Sequence, residues 1–316
     1  MLNCCTATNR QKHRREKTRR RCRTKLTHFF IFLFNALLRV LPVFLQNKLA
    51  EFIGWLIYII APGRRRLMVS NLKRAFKEEY ADSELERIAL RSIQNTIKSA
   101  FEFMRFPLYS EADIIRIVEV EGAENIENAR KAGKGVIFAT AHFGNWELLA
   151  ARIHTLGHPM TAVGRPQEDG VVNEMIVNLR TSKGTRNIPR GVPMYEHITC
   201  LLAANETVGL VSDQNAGVKG LFVDFFGSKV SAFKGPGLFA VRTGCKIIPL
   251  FIIREGYEKH RGIFLPAVEI RPSGDAGKDV LAYCKGYTKS IEDFVRKYPD
   301  HWFWIHKRWK TPPPGG

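Results

Sequence analysis

His142 and Glu147 stand five residues apart in GVIFATAHFGNWELLAA, residues 135–151. An imidazole and a carboxylate are the parts of a general base. With a reference pKa of roughly 6.5 the imidazole takes a proton near neutrality, and a carboxylate on its other nitrogen fixes the tautomer and stabilises the imidazolium. On one regular helix, residues five apart lie about 140° from each other, so the two meet only if His142 sits on a turn and Glu147 in the first turn of a helix. Spacing alone carries little weight. With 30 acids among 316 residues and nine histidines, about one such pair arises by chance, and one is present. The setting carries more: an apolar strand runs into His142, Gly144 and Asn145 supply a turn, and Trp146 to Ala151 begin a helix.

That junction needs a scaffold, and the chain supplies alternating strand and helix patterns. GVIFATA (135–141), MTAVG (160–164), TVGLVS (207–212), KIIPLFII (246–253) and GIFLPAVEI (262–270) are β-rich apolar runs. Helical patterns lie between them at about 145–156, 168–183, 194–205 and 235–243, and Val280, Cys284, Tyr287, Ile291, Phe294 and Tyr298 mark a closing helix. Residues 63–106 also read as helical, with Ser83 and Glu86 as a capping box. Such alternation predicts an α/β fold with a mostly parallel central sheet covered by helices. Reactive groups then collect where strands end, which makes Asp213 and Gln214, after strand 207–212, candidates for the same crevice as His142. They either orient Arg165 or a bound substrate, or form a plain turn. Arg165, fixed by Pro166 after strand 160–164, suits phosphate binding or is a surface arginine. Phe222, Phe225, Phe226 and Phe239 line an apolar slot or are simply core.

Charge narrows the partners. Lys and Arg number 49 against 30 Asp and Glu, a net +19, and residues 10–25 hold ten Lys/Arg against Glu16 alone. Polyanionic company is expected, whether nucleic acid, anionic lipid or an acidic protein. Six cysteines without CxxC or paired Cys/His spacing give neither a zinc site nor a disulfide framework. After the basic segment 1–25, two apolar stretches, 26–45 and 49–60, are broken by Asn35, Arg39, Pro42, Asn47, Lys48 and Glu51. Neither is a clean run of about 20 apolar residues. Trp55, Tyr58 and Arg64 to Arg66 suit an interface, so 26–62 is read as a membrane-associating helical hairpin bent at Pro42, ahead of a domain spanning 63–316. A buried hairpin of a soluble core is the plainer alternative. A nucleic-acid-binding role is disfavoured, because such a protein has no use for this hairpin or for the HFGNWE junction.

HFGNWE matches the H-x4-(D/E) pattern of glycerolipid acyltransferases, and AHFGNWELLA resembles the lipid A late acyltransferases, the lauroyl and myristoyl transferases of Gram-negative inner membranes. AVGRP (162–166), SDQNAG (212–217), VDFFG (223–227), GPGLFAVRTGCKIIPLF (235–251) and HWFWIHKRWKTPPPG (301–315) resemble that family's blocks in its order, over about residues 26–315. The basic extension 1–25 departs from the pattern. The resemblance implies transfer of a fatty acyl group from an acyl-carrier-protein or CoA thioester to a hydroxyl of a membrane lipid, a lipid A precursor before others, at the cytoplasmic face of the inner membrane. It implies His142 as base and Glu147 as its partner, with Gly144, Asn145, Arg165, Asp213 and Gln214 around the substrates, and no metal or cofactor. Trp302, Trp304 and Trp309 among His306, Lys307, Arg308 and Lys310 suit a headgroup interface or a packed closing strand.

Overall fold

Apolar runs become strands here because both of their faces are covered. The computed structural model describes residues 33–164, 166–189 and 193–314. The extension 1–25 and Arg165 lie outside them. Among the described residues nine strands follow in chain order: β1 (Val118–Glu121), β2 (Val136–Thr140), β3 (Met160–Gly164), β4 (Arg186–Pro189), β5 (Thr207–Val211), β6 (Leu221–Phe225), β7 (Ser228–Ala232), β8 (Lys246–Gly256) and β9 (Lys259–Phe264). Seven form one sheet in the order β1-β9-β8-β2-β5-β3-β4, and β6 with β7 makes a separate antiparallel hairpin. All neighbours in the large sheet run parallel except β8 and β9. Within β2, Ile137 and Ala139 belong to one apolar cluster and Val136 and Phe138 to another, so the central strand is buried on both sides.

Helices α2 (Pro62–Phe76), α3 (Asp82–Met104), α8 (Met194–Ala203), α9 (Gly235–Thr243) and α10 (Ala276–Lys297) pack on the first face together with the β6–β7 hairpin. The opposite face is covered by α4 (Glu111–Ile117), α5 (Glu124–Arg130), α6 (Trp146–Thr155) and α7 (Gly170–Thr181). The expected α/β architecture is therefore present. Several local readings differ. Helix α3 is capped at Ala81, whose N–H donates to Glu84 Oε2 at 3.1 Å, rather than at Ser83; Glu86 is instead paired with Arg65 at 2.7 Å. The last strand runs Lys259–Phe264 and stops short of 270, since Pro266 has no N–H to pair. Phe225, Phe226 and Phe239 are core residues rather than an open apolar slot. Trp302 and Trp304 are buried in that same core, as a packed closing segment would have them.

Ahead of the sheet, residues 33–40 are helical, the chain breaks at Leu41 and Pro42, and α1 (Val43–Ile60) follows. Gln46 Nε2 donates to Leu38 O at 2.9 Å and Leu41 O at 2.7 Å, satisfying carbonyls that the break leaves open. Helix α1 is apolar outwards: Phe44, Phe52, Trp55, Ile59 and Ile60 are exposed while Gln46, Asn47, Ala50, Gly54 and Tyr58 are buried. A Cβ on Gly54 would come within 2.8 Å of Gln94 Cγ, so glycine sets the close approach of α1 to α3. By length and composition α1 is able to cross a membrane.

Candidate active site

The site is built at the C-terminal ends of β2 and β5. These strands are parallel with Thr140 opposite Val211, and the Ser212 N–H donates to Thr140 O at 2.8 Å just beyond. Two residues further along each chain, in matching positions, stand His142 and Asp213. His142 Nδ1 lies 2.8 Å from Asp213 Oδ1, and the backbone N–H of His142 donates to Asp213 Oδ2 at 3.0 Å. Trp302 Nε1 donates to the same Oδ2 at 2.8 Å. Asp213 is fully buried, and burial alone would raise its pKa. The His142 imidazole and the Trp302 indole hold it well below the usual carboxylate range.

An ionised carboxylate accepts only, so Nδ1 of His142 carries a proton, and in the neutral form of the ring the lone pair is on Nε2. The ring keeps 23% of its side-chain surface exposed. Trp146 meets it edge-on at 5.0 Å between centroids, and His306 does so at 4.9 Å. Burial first, then the neighbouring His142 and Arg308, push His306 down to about 4 against the pull of Asp213, so it is neutral at pH 7. Gln214 Nε2 donates to His306 Nε2 at 2.8 Å and lies 3.4 Å from each nitrogen of His142. Behind it the buried Arg308 donates from Nη1 to Gln214 O at 2.8 Å and Ser231 O at 2.7 Å. Among the described residues, His142, Asp213 and His306 form a group able to hold a metal, with donor atoms within 4.8 Å of one another. In the structure Asp213 accepts from His142 and Trp302, and His306 Nε2 accepts from Gln214.

Glu147 does not make the expected bond to His142. It sits in the first turn of α6, where its carboxylate takes Arg180 of α7 in a forked pair, Nε to Oε2 at 2.9 Å and Nη2 to Oε1 at 2.5 Å. Its Oε1 also accepts from Trp146 Nε1 at 3.0 Å. Glu147 therefore reaches His142 only through the Trp146 ring. Asn145, expected among the substrate-binding residues, is buried instead as the cap of α6: its Oδ1 accepts the Leu148 N–H at 3.0 Å, and its Nδ2 is given to Glu102 at 2.7 Å. Gly144 is a backbone requirement. Its φ is +55°, and an added Cβ would lie 2.0 Å from Ile252 O. Gly144→Ala is expected to destabilise the fold by at least about 2 kcal/mol, read in a denaturant melt; a variant melting with the wild type would remove this account of the turn.

The C-terminal segment closes the site. His301 O accepts the Gly144 N–H at 2.8 Å, the Phe303 N–H donates to His142 O at 3.0 Å, and Phe143 bridges to Trp302 as a short antiparallel pair. Asn71 of α2 holds that segment by donating to Trp304 O and His306 O, both at 2.8 Å. Sequence reading missed Arg180 and Trp302 as parts of the site, and nothing in their local pattern marks them. The role of His306 was hidden in a run of aromatic and basic residues.

A mostly parallel α/β sheet that sets a histidine on a buried, ionised aspartate at neighbouring strand ends is an arrangement suited to acid–base chemistry. The sequence pattern of the bacterial lipid A biosynthesis acyltransferase family matches residues 13–311, and the chain belongs to that family and is an acyltransferase. It is similar to a lipid A biosynthesis acyltransferase of Haemophilus influenzae, 25% identical over 88% of this chain and 86% of that one. A lipid A biosynthesis palmitoleoyltransferase of Escherichia coli is 26% identical over 80% of each chain. A phosphatidylinositol mannoside acyltransferase of Mycolicibacterium smegmatis is 24% identical over 76% of this chain and 77% of the relative.

Proposed function

We propose that the protein transfers a fatty acyl group from a thioester, acyl carrier protein before CoA, to a hydroxyl of a lipid A precursor, with His142 as general base and Asp213 as the group that orients it. The acceptor hydroxyl approaches Nε2 of His142 and gives it a proton as its oxygen attacks the thioester carbonyl. The C–O bond forms, a tetrahedral oxyanion results, and its collapse breaks the C–S bond. The imidazolium then returns the proton to the departing thiolate. Asp213 accepts from Nδ1–H throughout, so the positive charge on His142 develops beside a fixed negative one. Neither an acyl-enzyme nor a metal is needed. Glu147, holding Trp146 and Arg180, shapes the wall against which the His142 ring rests.

The observation that carries this reading is the His142 Nδ1 to Asp213 Oδ1 hydrogen bond of 2.8 Å at adjacent strand ends. The test presents purified protein with acyl carrier protein and CoA thioesters, crossed with a lipid A precursor, a lysophospholipid, a phosphatidylinositol mannoside and an aminolipid, products being read by mass spectrometry. Acylation of the lipid A precursor is expected. Acylation of the mannoside alone would move the acceptor to that class, and no acylation at all would sink the reading.

The outward apolar face of α1 supplies the approach to a lipid, with the enzyme on the cytoplasmic side of the inner membrane. Phe52 and Trp55 stack at 5.8 Å on that face, both exposed. Replacing both by Glu is expected to lower recovery with anionic vesicles in a flotation assay at least tenfold while leaving the melt unchanged. Undiminished flotation would take membrane docking away from α1.

A further inference from the structure

The polar residues of α3 form a line. Ser92, Asn95, Ser99 and Glu102 are three, four and three apart, one stripe of a helix, and each reaches the chain that holds the His142 turn. Ser92 Oγ donates to Trp302 O, Asn95 Nδ2 to Asp300 O at 3.0 Å, and Ser99 Oγ to Gly144 O at 3.3 Å. At the end of the stripe Glu102 Oε2 accepts from Asn145 Nδ2 at 2.7 Å.

Glu102 is itself held from the sheet. Arg254 of β8 gives Nη1 to Oε1 and Nη2 to Oε2, the latter at 2.8 Å, and His260 of β9 places Nε2 3.1 Å from Oε1. Arg254 closes a ring. Its Nη2 lies 3.3 Å from Ser99 Oγ, and its backbone N–H donates to His301 Nε2 at 3.0 Å. The carbonyl of the same His301 accepts from Gly144. The hydrogen bonds to the backbone of Gly144 and from Asn145 Nδ2 thus trace to Glu102 or to a residue bonded to it or to its partner Arg254.

Burial would raise the Glu102 carboxyl, but Arg254 and His260 hold it well below the usual range, so it is ionised. Acting only as an acceptor, it dictates which end of the Asn145 amide faces it and leaves Oδ1 for the Leu148 N–H. A buried ion cluster is a poor device for stability alone, because desolvation offsets most of the Coulomb gain. Its placement under this turn has a positional reason.

We propose that Glu102, with Arg254 and His260, is a positioning residue for acyl transfer: it locks Asn145, and through it the turn that aims His142 at the substrate. This rests on the reading of His142 as the base. Asn145→Ser tests it with least damage, since serine still caps α6 and only the link to Glu102 is lost. Glu102→Gln leaves the buried Arg254 without its counter-charge and is therefore the second variant.

With acyl-carrier-protein thioester as donor, Asn145→Ser is expected to lower kcat roughly 10- to 100-fold, the scale of an ångström of misplacement, with KM for the donor within about twofold. Amide hydrogen exchange in a peptide covering residues 142–150 should rise in both variants, and the double variant should be no slower in kcat than the worse single. Wild-type kcat with unchanged exchange in Asn145→Ser would overturn the proposal, as would full multiplication of the two effects in the double variant. Exchange is read without turnover. If the wild type acylates none of the acceptors offered, the proposed function falls, while the exchange rates still decide whether Glu102 holds the turn.

Discussion

Replacing His142 by alanine is expected to cut acyl transfer by about 10²–10⁴, the usual worth of a positioned general base, in a protein that still folds. Survival of the fold follows from what Asp213 keeps. Of its three donors, only the imidazole is lost; the backbone N–H of residue 142 at 3.0 Å and Trp302 Nε1 at 2.8 Å remain. The buried carboxylate is therefore not stranded. His142→Gln is the sharper companion variant, since its amide can still donate to Asp213 yet has no basic nitrogen. Both variants should show the same deficit in single-turnover assays at saturating donor, with near-ultraviolet circular dichroism unchanged. Turnover at the wild-type rate in a well-folded His142→Ala protein would end the general-base account.

The fold was largely legible because its strands are buried on both faces and so read as unbroken apolar runs. Between Trp146 and Thr243 the four helices and the strands β3 and β5 follow the sequence patterns closely, whereas the β6–β7 hairpin had no strand reading. What stayed hidden lacked that pattern. β1, VEVE at 118–121, and β4, RNIP at 186–189, are four residues each and carry polar side chains, too short for alternation to stand out. His142 could be found from its strand-turn-helix setting, but its carboxylate partner could not be chosen from local spacing. Glu147 lies five residues away along the chain yet is drawn to Arg180, whereas Asp213 is 71 residues away and beside it in space. Only the pairing of β2 with β5 shows that AH after GVIFAT and SD after TVGLV end in register. Glu102 was equally concealed. Its one sequence trace is the polar stripe with Ser92, Asn95 and Ser99, and an amphipathic helix of this length normally turns such a stripe to water.

The choice between the two carboxylates leads to the second large effect. Asp213→Asn is expected to lower kcat by about 10³–10⁴, close to what the loss of tautomer control costs in a hydrolytic triad, with KM for the donor and the melting temperature little changed. The geometry dictates the direction. Oδ2 of Asp213 receives two N–H groups that cannot reverse, the His142 backbone at 3.0 Å and the Trp302 indole at 2.8 Å. Asparagine must put its oxygen there. Its NH2 then faces Nδ1 of His142 at the position where Oδ1 stood, 2.8 Å away. A donor in that place forces Nδ1 to accept, so the ring proton moves to Nε2, and the nitrogen that should take the acceptor's proton is already occupied. The hydrogen bonds survive, the shape survives, and the base is in the wrong tautomer. Glu147→Gln provides the control: it weakens the grip on Arg180 without touching the His142 hydrogen bond, so its effect on kcat should be at least tenfold smaller than that of Asp213→Asn. The tautomer itself is open to measurement, because nitrogen chemical shifts of labelled His142 distinguish a protonated Nδ1 in the wild type from a protonated Nε2 in Asp213→Asn. An Asp213→Asn enzyme that keeps wild-type kcat, or a Glu147→Gln enzyme that loses more, would transfer the orienting role from Asp213 to Glu147.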